Sequence, residues 1–208
     1  MDFAQWLSLV SICLLGAMSP GPSLAVIINA ALRGGRGHGI LAGVTHGIGV
    51  GLYGLLTVTG LAVLITRSPT LFLGLQLAGA AYLLYLGIKS LQSTGAGEAQ
   101  AEADSNASAG SAALSGFLVA FLNPKLAIFM LALFAQFLRP EAGIAEKLLM
   151  ALTVGLTDAT WYVLMAAMVS HPAIYQRLRE RSALIDRVFG VLLLLLALSV
   201  FYRALSGP

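Results

Sequence analysis

The sequence predicts an all-α membrane protein of six transmembrane helices, arranged as two three-helix repeats of opposite insertion with the first and fourth helices broken. Three observations predict it. The chain has 208 residues, 58% hydrophobic and 10% charged, and its mean hydropathy of +0.88 makes the bilayer, not water, its solvent. Two apolar runs long enough to cross a bilayer are interrupted by proline, at Ser19-Pro20-Gly21-Pro22-Ser23 and at Asn123-Pro124-Lys125. The halves also repeat: Gly43-Val44-Thr45-His46 matches Gly155-Leu156-Thr157-Asp158 at a shift of 112, and Pro22 matches Pro124 at a shift of 102. An odd number of spans per repeat inserts the second repeat upside down.

Span one covers about residues 4–31, and its two prolines remove two amide donors near its middle. A break in hydrocarbon persists only where protein or a wet cavity surrounds it. The opening Met1-Asp2-Phe3 carries an acid and no Lys or Arg, and the apolar pattern resumes after Pro22, so the run reads as a retained span and not as a leader. The basic turn Arg33-Gly34-Gly35-Arg36-Gly37-His38 leads to span two, residues 39–66, with glycine at 39, 43, 47 and 51. That face admits a neighbouring backbone, either within the chain or from a second protomer. Span three, residues 71–91, follows Arg67-Ser68-Pro69 and carries Gly74, Ala78 and Tyr82 at spacing four.

Residues 92–111 are rich in Ser, Ala, Gly and Glu and read as a flexible linker between a first repeat, 1–91, and a second, 112–208. Span four, residues 112–138, holds the second break. Span five, 147–170, stops at His171-Pro172, and a segment with Arg177, Arg179, Arg181 and Arg187 leads into span six, 188–202.

The net charge is +3, yet no basic stripe with interleaved aromatics marks a nucleic-acid surface. The basic residues sit at span ends, where they set topology. Seven Lys and Arg fall in loops one, three and five against four on the other side, which makes those three loops cytoplasmic. Cys13 is the only cysteine, which excludes an internal disulfide, a CxxC pair and a cysteine-rich metal site.

Eight of the nine acids, Asp186 among them, are assigned to the linker, loops or termini; Asp158 alone is placed deep in a span. A carboxylate at a helix centre costs roughly 2.5 to 3.5 kcal/mol on insertion scales, so it faces a partner or a cavity. It reads either as a neutral acid bonded between helices or as a site that takes a substrate ammonium or a proton. Lys125 is the one base comparably deep, either snorkelling to a headgroup or joining the free amides after Pro124 in an anion site that faces the matching one after Pro22. His46 holds the repeat position of Asp158, as packing residue or as proton partner. Thr45, Thr157 and Asn123 are candidate polar glue, Ser23 a capping hydroxyl, and Trp161 and Tyr162 share the helical face of Asp158.

The residues Pro20-Gly21-Pro22, the glycine-rich stretch from Arg33 to Gly43, Asn123-Pro124-Lys125 with Phe129 and Gln136-Phe137 downstream, and Asp158 with Trp161-Tyr162 resemble the LysE/RhtB family of lysine-exporter and homoserine/threonine-resistance translocators. The resemblance spans nearly the whole chain apart from the linker. It implies a small bacterial inner-membrane exporter of amino acids or close derivatives, driven by the proton gradient, with no bound organic cofactor. Ser23 stands where the family often has Asp or Asn, and Ala135 where a proline commonly precedes Gln-Phe. The function expected is proton antiport of a small zwitterion by alternating access. The alternatives are an intramembrane enzyme built on Ser23 and His46, for which no nucleophile motif is present, and a channel or scaffold subunit, for which a polar-lined pore is missing.

Overall fold

A computed structural model describes residues 1–19, 21–93, 108–168 and 180–206. Pro20, most of the linker, His171, Pro172, Arg177 and Arg179 lie outside them. Eight helices are described: α1 Phe3–Met18, α2 Pro22–Gly34, α3 Arg36–Arg67, α4 Pro69–Leu91, α5 Ala109–Phe121, α6 Pro124–Phe137, α7 Ile144–Met168 and α8 Ser182–Ser206. Four of them are long and apolar enough to cross a membrane, and the bent pairs α1–α2 and α5–α6 bring the number to six if each pair is one span. The pairs turn by 61° and 54°, at the two proline sites read from the sequence.

Local chemistry sets these boundaries. Asp2 and Gln5 close a capping box at the start of α1, with bonds of 2.8 and 3.1 Å. Pro22, Pro69 and Pro124 each sit in the first turn of a helix, where the missing N–H has no partner to lose. Gly35 alone joins α2 to α3, at φ +84°, a conformation that side chains resist. Ser108 caps α5 through the Ser111 amide, so this helix begins inside the stretch read as linker.

The glycines of α3 answer the question of their partner: they pack inside the chain. Gly39 lies against Ala31 and Ala166, Gly43 against the backbone of Tyr162 and Val163, Gly47 against Ala159, and Gly51 against Gly155. As numbers rise along α3 they fall along α7, so the two helices run antiparallel at close range, held by dispersion between small residues. The register along Gly74, Ala78 and Tyr82 plays no such role. Gly74 and Ala78 are exposed, and α4 meets its neighbours through Gly79 at Ala132 and Gly87 at Gly190 and Leu194.

Around the α3–α7 pair, α5 runs parallel to α3 (Thr45 to Ala113, Tyr53 to Phe121), and α1 packs on α7, where Trp6 Nε1 donates to Thr153 Oγ1 at 3.0 Å. The broken spans' second halves dock differently. Helix α2 packs on α3, α5 and α7, whereas α6 packs on α4 and α3. Two glutamines fasten α6: Gln76 Nε2 donates to the Ala135 carbonyl at 3.1 Å, and Gln136 Nε2 to that of Gln76 at 3.1 Å. Two apolar clusters result. The larger joins α1, α4, α6 and α8 to Val50–Ile65 of α3 and to Met150 and Val154 of α7; the smaller joins α2 to Ala42, Tyr162, Met165 and Ala166.

Candidate functional site

The two clusters leave a polar layer between them on the α3–α7 crossing. Nothing larger than glycine or alanine separates the helices there, so His46 and Asp158, beside the glycine face, are forced together. His46 Nδ1 lies 2.5 Å from Asp158 Oδ2, and the residues are 2% and 9% exposed. With Asp158 ionised, Nδ1–H donates to it, which gives the carboxylate one donor away from water. Tyr162, one turn beyond Asp158, sets its ring edge-on to the imidazole with centroids 4.7 Å apart. Its hydroxyl interacts with the Ser23 side chain at the start of α2, and Cys13 lies within electrostatic range of Asp158. Among the described residues, two buried nitrogens of this layer, His46 Nε2 and Trp161 Nε1, have no hydrogen-bond partner. Leaving such a group unpaired costs about 1–3 kcal/mol, so the layer carries unused hydrogen-bonding capacity.

The remaining residues read from the sequence separate into those at this layer and those away from it. Thr45 turns to α5, its hydroxyl donating to the Ala113 carbonyl at 2.7 Å, and acts as interhelical glue. Thr157 is half-buried and makes no hydrogen bond with the pair. Gly21 is the N-cap of α2 and Pro22 its first residue, and no side chain caps this end. At the second break Asn123 Oδ1 accepts from the amides of Lys125 at 3.0 Å and Leu126 at 3.2 Å. The free amides expected after Pro124 are therefore already bonded, and the Lys125 side chain is exposed. Asn123→Ala is expected to cost about 1 kcal/mol through this cap, seen as a lower melting temperature in detergent with transport kept.

The breaks do not face each other. The first reaches Tyr162, which lies level with Gly43; the second reaches Tyr53, against which Phe121 packs at 5.9 Å. Positions 43 and 53 of one helix are separated by about 15 Å along its axis, and the acid–base pair sits between them. The two breaks therefore lie at different depths along α3, one on either side of the pair.

Asp158 is not the single interior acid. Asp186, assigned to a loop because of the arginines before it, is 6% exposed. Helix α8 begins at Ser182, ahead of the apolar run at 188, and carries Asp186 into the protein. Its carboxylate accepts from Ser19 Oγ and Ser93 Oγ, both at 2.6 Å. Among the described residues no three His, Cys, Asp or Glu converge as a metal site would require.

The family model described as LysE type translocator matches residues 14–204. The chain is 29% identical to a homoserine/homoserine lactone efflux protein of Salmonella typhi over 94% of its own length and 95% of the relative's. It is 32% identical to a leucine efflux protein of Salmonella choleraesuis (strain SC-B67), over 73% and 74% of the two chains, and 24% identical to an uncharacterized membrane protein, YahN, of Escherichia coli (strain K12), over 95% and 89%. No solved structure matches. Since the family model covers all but the two ends, this chain belongs to the LysE type translocator family and is a membrane translocator, not an enzyme.

Proposed function

We propose that the protein exports an amino acid or close derivative across the bacterial inner membrane in exchange for protons. The observation that carries the reading is the buried His46–Asp158 pair on the crossing of α3 and α7. A carboxylate in an apolar layer is stable with one positive partner at a time, and imidazolium, a proton and a substrate ammonium all qualify. Their competition for Asp158 is the coupling. Ammonium from the cytoplasm displaces His46 from the ionised acid, and a proton arriving from outside neutralises the acid and releases the substrate. The substrate carboxylate goes to the uncapped start of α2, beside Ser23 and Tyr162, where the helix dipole favours an anion. The capped start of α6 takes no part.

Contacts along α3 and α7 mirror each other about this pair: Gly43 meets Val163 as Gly51 meets Gly155, and Gly47 meets Ala159. This supports inverted repeats related by an axis through the pair, and alternating access by rocking of one repeat against the other. Loops one, three and five are cytoplasmic by their charge. The efflux activities named for the relatives support amino-acid cargo. Cells loaded with dipeptides should accumulate one or a few amino acids outside only when the protein is expressed, and a protonophore should abolish the effect. No amino acid exported under any load would overturn the reading.

A further inference from the structure

The acid that transport by the His46–Asp158 pair does not use is Asp186. It is buried, and among the described residues no cation pairs with it. Burying a carboxylate on hydroxyl partners alone is expensive, so the bonds it makes are the reason to look at where they run. Ser19 is the last residue before the break of the first span, Ser93 follows the end of α4, and Asp186 itself lies in the first turns of α8. Antiparallel α4 and α8 approach closely there through Gly87 and Gly190. One side chain therefore ties the end of α1 to the α4–α8 pair, on the face of loops one, three and five.

The second half has no equivalent. At the repeat shifts the positions of Ser19, Ser93 and Asp186 fall on Phe121, Leu205 and Gly74, none of which offers a carboxylate or hydroxyl. Its broken span is fastened instead by the Gln76 and Gln136 bonds between α4 and α6, which leave the Asn123 break untouched.

We propose that Asp186, with Ser19 and Ser93, is a latch that holds the first break shut toward the face of loops one, three and five, and that releasing both hydroxyls is the step that opens the path from that face. Asp186 is a positioning residue, since it acts through the end of α1 and not on the substrate. The proposal rests on the protein being a translocator, not on its cargo or coupling ion.

The test uses accessibility, which needs no substrate. A cysteine at Gly21, where an added Cβ meets nothing within 4 Å, is introduced with Cys13→Ala and labelled by a membrane-impermeant maleimide from each face of membrane vesicles. Asp186→Ala is expected to raise the labelling rate roughly tenfold from the face of loops one, three and five alone, as loss of two charge-assisted bonds shifts the population. Ser19→Ala with Ser93→Ala should do the same, and carries the test if Asp186→Ala fails to insert. A cysteine replacing buried Val50 should stay unreactive throughout. Unchanged labelling in both variants overturns the latch, as does equal labelling from both faces or exposure of the Val50 cysteine. Loss of amino-acid export with normal gating would count against the proposed cargo and leave the latch standing.

Discussion

Asp158→Asn is expected to abolish uphill export driven by a pH gradient while the protein remains folded and inserted. Asparagine keeps the size and a hydrogen-bonding oxygen, so His46 Nδ1 retains a partner at the 2.5 Å position, and a neutral imidazole leaves no uncompensated charge in the layer. What is lost is the capacity to be ionised in one half of the cycle and neutral in the other. A group that moves a proton at the working step contributes typically 100-fold or more, so the rate in proteoliposomes is expected to fall by about two orders of magnitude and to lose its dependence on the gradient. Export by the variant at the wild-type rate, with the same response to pH, would eliminate the mechanism.

The second large effect concerns the contact that brings the pair together. A Cβ on Gly47 would collide with Ala159 and lie 2.7 Å from the Gly155 carbonyl oxygen and 2.9 Å from the Ala159 Cα. Backbone cannot give way as a side-chain tip can, so Gly47→Leu must push α7 off α3. Overpacking of this kind costs about 3 kcal/mol at the upper end of its usual range, and separation of the helices also pulls Asp158 from His46. The expected result is a melting temperature in detergent lowered by many degrees, with little correctly inserted protein. Gly60→Leu is the control, because nothing lies within 4 Å of a Cβ at that position; it should melt with the wild type. A Gly47→Leu protein with wild-type melting would show that the close approach is not what holds the layer together.

Much of the architecture was legible because membrane solvent leaves few choices. Prolines cannot donate, so both breaks were readable from Pro22 and Pro124, and the span ends followed from Arg33, Arg67, Lys89 and Arg139. The partnership of His46 with Asp158 was readable only as a register, through the matching Gly43 and Gly155 blocks, because an acid so deep must find a partner. Other features depended on distances that no repeat reports. The Asn123 cap was hidden because a capping asparagine and a substrate-binding one look alike in sequence. Asp186 was misplaced because the arginines at 177, 179, 181 and 187 suggested a solvated loop, whereas α8 starts earlier and turns that acid inward against Ser19 and Ser93. The staple between Gln76 and Gln136 joins residues 60 positions apart and follows no periodic pattern.

The mirrored register of α3 and α7 constrains how such a machine can originate. A residue lying on a two-fold axis faces its own counterpart, so a symmetric ancestor assembled from two identical three-helix chains would have set histidine against histidine or carboxylate against carboxylate. Two like groups so close cannot both be ionised, so neither arrangement can hold an ion pair. Base opposite acid requires two non-identical subunits or one polypeptide whose halves differ at these positions, as His46 and Asp158 do here.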